Sequence, residues 1–265
     1  TLVYLILASI AAFGYYIRTR NLGLLTDLTT GKYIPVALDP HVFLRYAKYI
    51  IENGSLMTVD VMRYNPFGFT GLEEFRILSY SIAYFYKILN IFIPSTTIEF
   101  AHVIYPAVAF VIGLFIFFLL MKTIFDWKVG LISSAFLTVL PAYLYRTTAG
   151  FSDKEALAIC LMFLGMLLFY KFITAKKSKQ GWIYSITSGI SIAILWLVWG
   201  GAGFLLLALG LFMMTLVLLN KLTKEKLIQY TLFLAIFTIT YKLGFPSRSS
   251  LIGIITSEFN LMMFA

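Results

Sequence analysis

The sequence contains few charged residues and a single cysteine. Only 12% of its 265 residues are Asp, Glu, Lys or Arg, whereas 60% are hydrophobic; a soluble domain carries about 25% charged residues. A soluble fold of this length could not bury so much apolar surface, which excludes the soluble globular class and indicates a polytopic membrane protein. The single cysteine, Cys160, excludes an intramolecular disulfide and stands in an apolar run typical of a buried thiol.

The net charge of +9 does not indicate a nucleic-acid partner. In a membrane protein, Lys and Arg accumulate on cytoplasmic loops and near lipid phosphates, so we expect membrane lipids and no nucleic acid around this chain. The sequence begins at Thr1 without a methionine and ends in an apolar stretch, Asn260–Ala265. We therefore expect a fragment of a longer protein, with the first apolar run retained as a span.

Apolar runs long enough to cross a bilayer occur seven times. The predicted spans are Thr1–Ile17, Phe100–Leu120, Val129–Tyr145, Ala156–Tyr170, Trp182–Trp196, Gly203–Leu219 and Ile228–Tyr241. An eighth run, Ile77–Ile93, is interrupted by Ser79, Lys87 and Asn90. This pattern favours an amphipathic helix that lies in the membrane interface. The predicted fold class is therefore all-α, a polytopic transmembrane helical domain.

Lysines concentrate in three short loops that fall on one side of the membrane if residues 77–93 do not cross it. The loops near residues 121–128, 171–180 and 220–226 hold nine lysines against two acids, which indicates the cytoplasmic side. The long loop of residues 18–99 and the segment of residues 145–155 then share the external face. If residues 77–93 did cross, the membrane would separate Asp39 from Asp153, and loop charge alone leaves both topologies open.

The first external loop contains a helix signal at Asp39 and Pro40. Asp accepts hydrogen bonds from free amides at a helix start, and Pro is tolerated at the first helical position. Apolar residues then repeat at helical spacing until Asn53 and Gly54 end the pattern. From this pattern alone, Asp39 is interpreted as a structural cap.

A second helix signal stands in the stretch AGFSDKEALAI, residues 149–159. Ser152 and Glu155 have the spacing of a capping box, and Asp153 suits the positive end of a helix dipole. Asp153 and Glu155, with a third carboxylate from a distant loop, could equally bind Mg²⁺ or Mn²⁺ and leave positions for a phosphate oxygen. The pattern leaves both interpretations open.

Four segments in a fixed order resemble a known family. They are LDPHVFLRYAKYI from Leu38, LSYSIAYFYKIL from Leu78, YRTTAGFSDKEALAI from Tyr145 and WLVWGGAGF from Trp196. Together they resemble the catalytic subunit of oligosaccharyltransferase, archaeal single-subunit type, over about residues 37–204. The resemblance implies the C-type glycosyltransferase fold, a long first external loop with short helices, and an interfacial helix near residues 77–93.

The resemblance also implies an activity and a set of site residues. Asp39, Asp153 and Glu155 would be the catalytic carboxylates and the ligands of Mn²⁺ or Mg²⁺. The reaction would transfer an oligosaccharide from a dolichyl-type phosphate or pyrophosphate carrier to Asn in an Asn-x-Ser/Thr acceptor, on the external face of an archaeal cell membrane. Arg146 and Arg45 are candidates for contact with the carrier phosphate, although an arginine at a span end also serves as an interfacial anchor.

Two features depart from the family pattern. The acceptor-holding motif of the family has its nearest counterpart in ITSE, Ile255–Glu258, which follows Asp153 too soon for its role to be transferred to Glu258. The Trp-Trp-Asp motif and its soluble C-terminal domain are absent from these residues, so we expect this chain to be inactive alone. The alternatives are a protein O-mannosyltransferase and an ion-coupled transporter, the latter disfavoured because the acids lie at span ends.

Overall fold

The computed structural model describes residues 2–246 and confirms the all-α prediction for them. Its helices are α1 Leu2–Thr19, α2 Leu38–Asn53, α3 Glu73–Phe92, α4 Ile98–Ile124, α5 Trp127–Val139, α6 Pro141–Arg146, α7 Lys154–Thr174, α8 Ser178–Val198, α9 Gly203–Leu218 and α10 Lys224–Gly244. Two isolated β-bridges lie in the loops beside α2. The predicted segment ITSE with Glu258 lies outside the described residues.

Six helices of this part of the chain are long and apolar enough to cross a membrane. They are α1, α4, α7, α8, α9 and α10, and each coincides with one predicted span. The N-termini of α4, α5 and α10 are capped by the side chains of Thr97, Asp126 and Thr223, which accept backbone N–H donors of the first turn.

The predicted span of residues 129–145 differs from the structure, which divides it into α5 and α6. The break lies at Leu140, whose backbone is extended, and Pro141 starts α6 as its first residue. Proline has no N–H to continue the helical ladder and its ring restricts the preceding residue to extended conformations, so the helix ends there. The sequence-based prediction overlooked this effect because the apolar run continues through Pro141.

A buried arginine in α1 lies against this break. Arg18 is fully buried, and its Nη1 donates to the carbonyl of Thr138 at 3.0 Å and to that of Gly14 at 3.1 Å. Its guanidinium carbon lies 3.4 Å from the centroid of the Phe110 ring. Carbonyls near a helix end lack helical partners, so the guanidinium offers the end of α5 a substitute donor.

The predicted interfacial segment forms α3, which starts four residues earlier than expected and is not among the six candidate spans. One of its faces is buried and includes Leu78, Ile82 and Ala83, whereas Tyr84 and Ile88 are exposed. This two-sided pattern is typical of a helix that packs on a protein domain and turns its other face toward its surroundings.

The described chain divides into two compact units, the first ending at Cys160 and the second starting at Leu161. In the first unit, a core cluster joins α2, α3, α4 and the first turns of α7. Its buried members are Phe43, Ala47, Ile50, Leu78, Ile82, Ala83, Tyr105, Ala109, Ala156 and Cys160. This packing fixes the start of α7 relative to α2, the two helices that carry the predicted carboxylates.

The second unit packs the later part of α7 with α8, α9 and α10 around aromatic side chains. Its buried cluster comprises Phe169, Phe172, Ile192, Ala193, Leu206, Met213, Phe233, Leu234 and Phe237. Gly189 permits close approach of α8 and α10, since a Cβ there would lie 2.8 Å from the Phe233 carbonyl oxygen. The partly buried Trp196 packs against Phe237 and Tyr241 beside this cluster.

Candidate functional site

Asp39 lies in the first turn of α2, and its side chain is exposed. The cap residue of α2 is Ala37, in an extended conformation, and no side chain caps the helix. The interpretation of Asp39 as a structural cap is therefore wrong, because the helix starts at Leu38 and Pro40 is its third residue rather than its first. The carboxylate of Asp39 is thus not used up by the capping of its own helix.

The loop before α7 is held by hydrogen bonds to three other segments. Ala149 N–H donates to the Arg18 carbonyl at 2.8 Å, and Gly150 N–H donates to the Val103 carbonyl at 2.8 Å. The Gly150 carbonyl in turn accepts from Val36 N–H at 3.1 Å. Gly150 has a φ of 89°, a conformation that is costly for residues with a Cβ. These bonds place the loop rigidly next to the segment that leads into α2.

Ser152 does not form the predicted capping box. Its side chain is fully buried and its hydroxyl donates to the carbonyl of His102 in α4. The residue directly before α7 is Asp153, whose Oδ1 accepts from Lys154 N–H at 2.7 Å. The prediction failed because a buried carbonyl of α4, four residues into that helix, competes for the hydroxyl; local spacing cannot reveal such a partner.

Glu155 extends from the first turn of α7 toward Arg146. The Arg146 Nη1 lies 3.3 Å from Glu155 Oε1, and the Glu155 side chain is 19% exposed. The second oxygen, Oε2, is buried and has no hydrogen-bond partner within residues 2–246. A buried carboxylate oxygen without a donor is costly, which marks Oε2 as a position where a ligand could bind.

The electrostatics of Asp153 connect the three predicted carboxylates. Burial raises the pKa of the Asp153 carboxyl above its ordinary value, and the negative charges of Glu155 and Asp39 raise it further. Because such charge effects decline with distance, Asp39 and Glu155 both lie within electrostatic range of Asp153. Within residues 2–246, no three His, Cys, Asp or Glu side chains are close enough together to form a preassembled metal site.

Arg45 has a partner within the long loop of residues 18–99. It forms a two-pronged ion pair with Asp60, with Nη1 2.8 Å from Oδ1 and Nη2 against Oδ2. The Tyr46 hydroxyl donates to the same carboxylate at 2.7 Å, and Met62 N–H donates to it at 3.1 Å. The structure thus joins Arg146 to the predicted carboxylates, whereas the contacts of Arg45 lead to Asp60.

Asp60 was missed as a key residue of the loop. Its side chain is 1% exposed. Burial raises its pKa, but hydrogen bonds from Arg45, Tyr46 and Met62 outweigh that effect, so the net pKa lies below the ordinary value. The available signal was its position between Val59 and Val61, where an acid with apolar neighbours indicates a buried, paired carboxylate.

Two further ion pairs connect α2 and α3 to α4 and α7. Lys48 of α2 pairs with the buried Glu99 at the start of α4 at 2.8 Å. Lys154 at the start of α7 lies 3.7 Å from Glu74 of α3, with its Nζ 4.8 Å from the Phe75 ring centroid. Ion pairs therefore add to the packing that holds α2 against α4 and the start of α7 against α3.

Comparison with known proteins shows the family. The model of the family described as oligosaccharyl transferase STT3, N-terminal, matches residues 2–263. The dolichyl-phosphooligosaccharide-protein glycotransferase 1 of Pyrococcus furiosus is 27% identical over 274 residues, which cover 99% of this chain and 26% of that protein. The dolichyl-diphosphooligosaccharide–protein glycosyltransferase subunit stt3 of Schizosaccharomyces pombe is 27% identical over 206 residues, 76% of this chain and 27% of that protein.

Solved structures share the fold. The oligosaccharyltransferase of Archaeoglobus fulgidus in complex with Zn and sulfate superposes with a TM-score of 0.75 at 18% identity, over 98% of this chain and 34% of that one. The same organism's AglB, in complex with an inhibitory peptide and a dolichol-phosphate, superposes with a TM-score of 0.71 at 18% identity, over 91% of this chain and 29% of that one.

The chain spans about a quarter of the length of these curated relatives. The family match extends over almost all of it, and the all-helical fold agrees with the solved membrane enzymes. The resemblance seen in the sequence motifs is thereby confirmed, and with it the multi-pass membrane character. This chain is an integral membrane polypeptide that belongs to the oligosaccharyl transferase STT3 family, to whose N-terminal region it corresponds.

Proposed function

We propose that the natural protein transfers an oligosaccharide from a dolichyl-type phosphate or pyrophosphate carrier to the side-chain amide of Asn in Asn-x-Ser/Thr, and that this chain supplies its carboxylate centre. The main observation behind the proposal is that the charges of Glu155 and Asp39 both raise the pKa of Asp153. Charges from two loops distant in sequence thus act on one carboxyl group, which supports the motif-based assignment. The names of the relatives support the same reaction.

The donor chemistry of these residues suits a divalent cation, although within residues 2–246 they do not form a preassembled cluster. Three carboxylates form a hard oxygen donor set of the kind that Mg²⁺ and Mn²⁺ prefer. The buried Oε2 of Glu155 has no hydrogen-bond partner among the described residues. Burial raises the pKa of Asp153, repulsion from Glu155 and Asp39 raises it further, and a cation would relieve that repulsion. We therefore propose Asp39, Asp153 and Glu155 as the ligands of a divalent cation, either Mn²⁺ or Mg²⁺. When bound, the cation would supply positive charge against the phosphate that departs from the sugar.

The chain's own residues have distinct tasks in this proposal. An amide nitrogen is a poor nucleophile because its lone pair is delocalised into the carbonyl. Asp39, exposed at the start of α2, would accept hydrogen bonds from the acceptor NH₂ and favour a twisted, more nucleophilic amide. Arg146, 43% exposed and on the exposed side of its ion pair with Glu155, would donate to a phosphate oxygen of the carrier.

Arg45 was a second candidate for the carrier phosphate. Its ion pair with the buried Asp60 makes a positioning role in the external loop the better proposal, since release of the arginine would leave a buried carboxylate uncompensated. Arg146 is therefore the phosphate-contact residue that we propose. The external face of an archaeal cell membrane remains the proposed location of the centre.

The test compares variants of the full-length natural protein in isolated membranes. Transfer from lipid-linked oligosaccharide to a fluorescent Asn-x-Thr peptide is measured for the natural sequence, Asp153→Ala and Asp39→Ala. Both variants are expected to lose transfer by at least two orders of magnitude, a typical cost of removing one electrostatic catalytic group. Glu52→Ala is the matched control, because Glu52 is exposed at the other end of the same helix as Asp39.

Unchanged transfer by Asp153→Ala would contradict the proposal. A peptide with Gln in place of the acceptor Asn should receive no sugar. Transfer of a single mannose to a Ser/Thr-rich peptide instead would favour the protein O-mannosyltransferase alternative, which the family match does not support. An ion-coupled transporter would give no sugar transfer in either assay.

A further inference from the structure

The first unit contains a slot that is separate from the carboxylate centre. Its volume is about 320 Å³. It is lined by Ser81, Tyr84, Phe85 and Ile88 of α3, by Tyr105, Val108, Ala109 and Ile112 of α4, and by Leu157 and Cys160 of α7. On both α3 and α4 these residues follow the spacing i, i+3, i+4, i+7, so each helix contributes one continuous stripe. Seven residues of helix correspond to a length of roughly 10 Å.

The walls of the slot are neutral, and three of the four polar side chains in them bond to neighbouring protein groups. None of the ten lining residues is charged. The Ser81 and Tyr105 hydroxyls bond to each other at 2.7 Å, and the Cys160 thiol donates to the Ala109 carbonyl at 2.9 Å. A polar ligand would find few free partners in such walls, whereas a hydrocarbon chain would need none.

The mouth of the slot is exposed and apolar. Tyr84, Ile88 and Ile112 are 57%, 56% and 54% exposed. Ile91 and Phe92 extend the exposed apolar surface along α3 to its end. An amphipathic helix of this kind lies at the level of lipid headgroups, so the slot opens where lipid chains begin.

One cation stands at this mouth. Lys87 is exposed, one residue before the lining Ile88, and its Nζ lies 5.6 Å from the centroid of the Tyr84 ring. Among the described residues it forms no ion pair. The acids on the same helix, Glu73 and Glu74, lie near its other end, roughly 20 Å away along the axis. Lys87 is thus available to an anionic headgroup.

From these observations we infer that the slot between α3 and α4 binds an anionic membrane phospholipid, with one hydrocarbon chain between the two stripes and the headgroup phosphate at Lys87. The charge complementarity selects this occupant over a neutral lipid: neutral walls receive the chain, and the single cation at the mouth receives the phosphate. The inference does not depend on the proposed transferase activity, because no residue of the slot belongs to the carboxylate centre.

The test uses photo-crosslinking of the full-length natural protein in vesicles of phosphatidylcholine with a minor fraction of phosphatidylglycerol. Trace phosphatidylglycerol or phosphatidylcholine with a diazirine in one acyl chain is activated, and labelled peptides are mapped. We expect label from phosphatidylglycerol on residues 81–88 and 105–112 in excess of that on α5. Ile112→Trp should block the slot and remove the excess, whereas Ile132→Trp, on the exposed surface of α5, should leave it unchanged.

A second variant tests the contribution of the headgroup without a change in the packing around the hydrocarbon chain. One surface cation near anionic lipid contributes a factor of about five in binding. Lys87→Gln should therefore reduce the preference of the slot for phosphatidylglycerol over phosphatidylcholine about fivefold. Lys122→Gln should not change the preference, because Lys122 lies near the end of α4, beyond the residues that line the slot.

Three outcomes would overturn the inference. Label on residues 105–112 equal to that on α5 would show that lipid does not enter the slot. A preference unaffected by Lys87→Gln would show that the headgroup is not held there. Displacement of the label by dolichyl phosphate at lower amounts than by unlabelled phosphatidylglycerol would assign the slot to a carrier lipid instead.

Discussion

At the scale of single residues, Glu155 has two carboxylate oxygens in different situations. Oε1 faces the Arg146 guanidinium, whereas Oε2 is buried without a donor. Because buried polar atoms are normally satisfied, Oε2 is the atom at which the proposed cation would bind. The residue therefore combines a neighbour that orients it with an oxygen that remains open to a cation.

Glu155→Gln tests whether the Glu155 carboxylate binds a cation. The amide keeps the size of the side chain but removes the negative charge, so binding of Mn²⁺ to the full-length protein should weaken by on the order of 10 to 100 fold. Isothermal titration with Mn²⁺ measures the change. Glu52→Gln is the control for loss of an exposed carboxylate, and equal affinities of the two variants would exclude Glu155 as a ligand.

Protonation of Asp60 at low pH should destabilise the loop of residues 18–99. Its folded pKa is lowered by Arg45, Tyr46 and Met62 despite burial, and the ordinary value of an Asp is about 3.9. The stabilisation by the ionised carboxylate is therefore complete above about pH 4 and is lost as the pH falls through the lower folded pKa. Hydrogen exchange of α2 should accelerate in that acid range and not between neutral pH and about pH 5.

Asp60→Asn should remove this acid step and lower stability at neutral pH by roughly 3 kcal/mol, because it leaves the partly buried Arg45 without its counter-charge. Exchange of α2 measured at neutral pH reports the loss. Asp27→Asn serves as the control: Asp27 is a half-buried loop acid whose pKa is also lowered, but by its neighbours Thr30 and Thr29 and not by contacts with α2. An acid step that persists in Asp60→Asn would mean that another group causes it.

At the scale of elements, the break between α5 and α6 and the buried Arg18 of α1 form one arrangement. Pro141 ends the α5 ladder, and Arg18 bonds to Thr138 near that end and to the Thr147 hydroxyl, 2.7 Å from its Nε, just after α6. The arginine backbone carbonyl also accepts from Ala149 N–H. One residue thus links the first span to the loop that leads to Asp153.

Arg18→Met should destabilise the first unit by roughly 2 to 4 kcal/mol, since it deletes several hydrogen bonds from a charged donor to buried acceptors. Thermal unfolding of the full-length protein in detergent measures the loss. Arg18→Lys should recover only part of it, because an ammonium cannot reproduce the planar fork that reaches Thr138 and Thr147 together. Full recovery by Lys would show that charge alone suffices.

At the scale of the whole molecule, the lysine-rich loops and the carboxylate centre are predicted to lie on opposite sides of the membrane. The described residues are consistent with that arrangement in one respect: α3 packs with α2 in the core of the first unit and is not among the candidate spans. The electrostatic proximity of Asp39 and Asp153 also requires both loops to share one face.

Cysteine labelling can test the topology. The only cysteine of this chain, Cys160, is buried, so background reaction from it should be low. A membrane-impermeant maleimide added to intact cells should label Glu52→Cys, and should label Lys177→Cys only after permeabilisation. The reverse pattern would invert the predicted orientation, and labelling of both positions in intact cells would refute the separation of the two loops.

The amino-acid sequence by itself determined the features that depend on neighbours along the chain. The length of the apolar runs predicted the spans, and the polar residues that interrupt the run of residues 77–93 predicted α3. The four motifs in fixed order predicted the family. The division of one long span into α5 and α6 follows from Pro141, a local signal that the apolar run concealed. The role of Ser152 was decided by tertiary structure, because the His102 carbonyl of another helix competes with the local pattern for its hydroxyl.

The candidate site shows the same division. The motifs singled out Asp39, Asp153 and Glu155, but spacing could not tell which of them cap helices and which remain open. That distinction depends on the packing of α2, α3 and α4 against the start of α7, which brings the carboxylates within electrostatic range and leaves one oxygen of Glu155 buried without a donor. Burial and charge proximity arise only when segments distant in sequence meet, so only the tertiary structure could decide them.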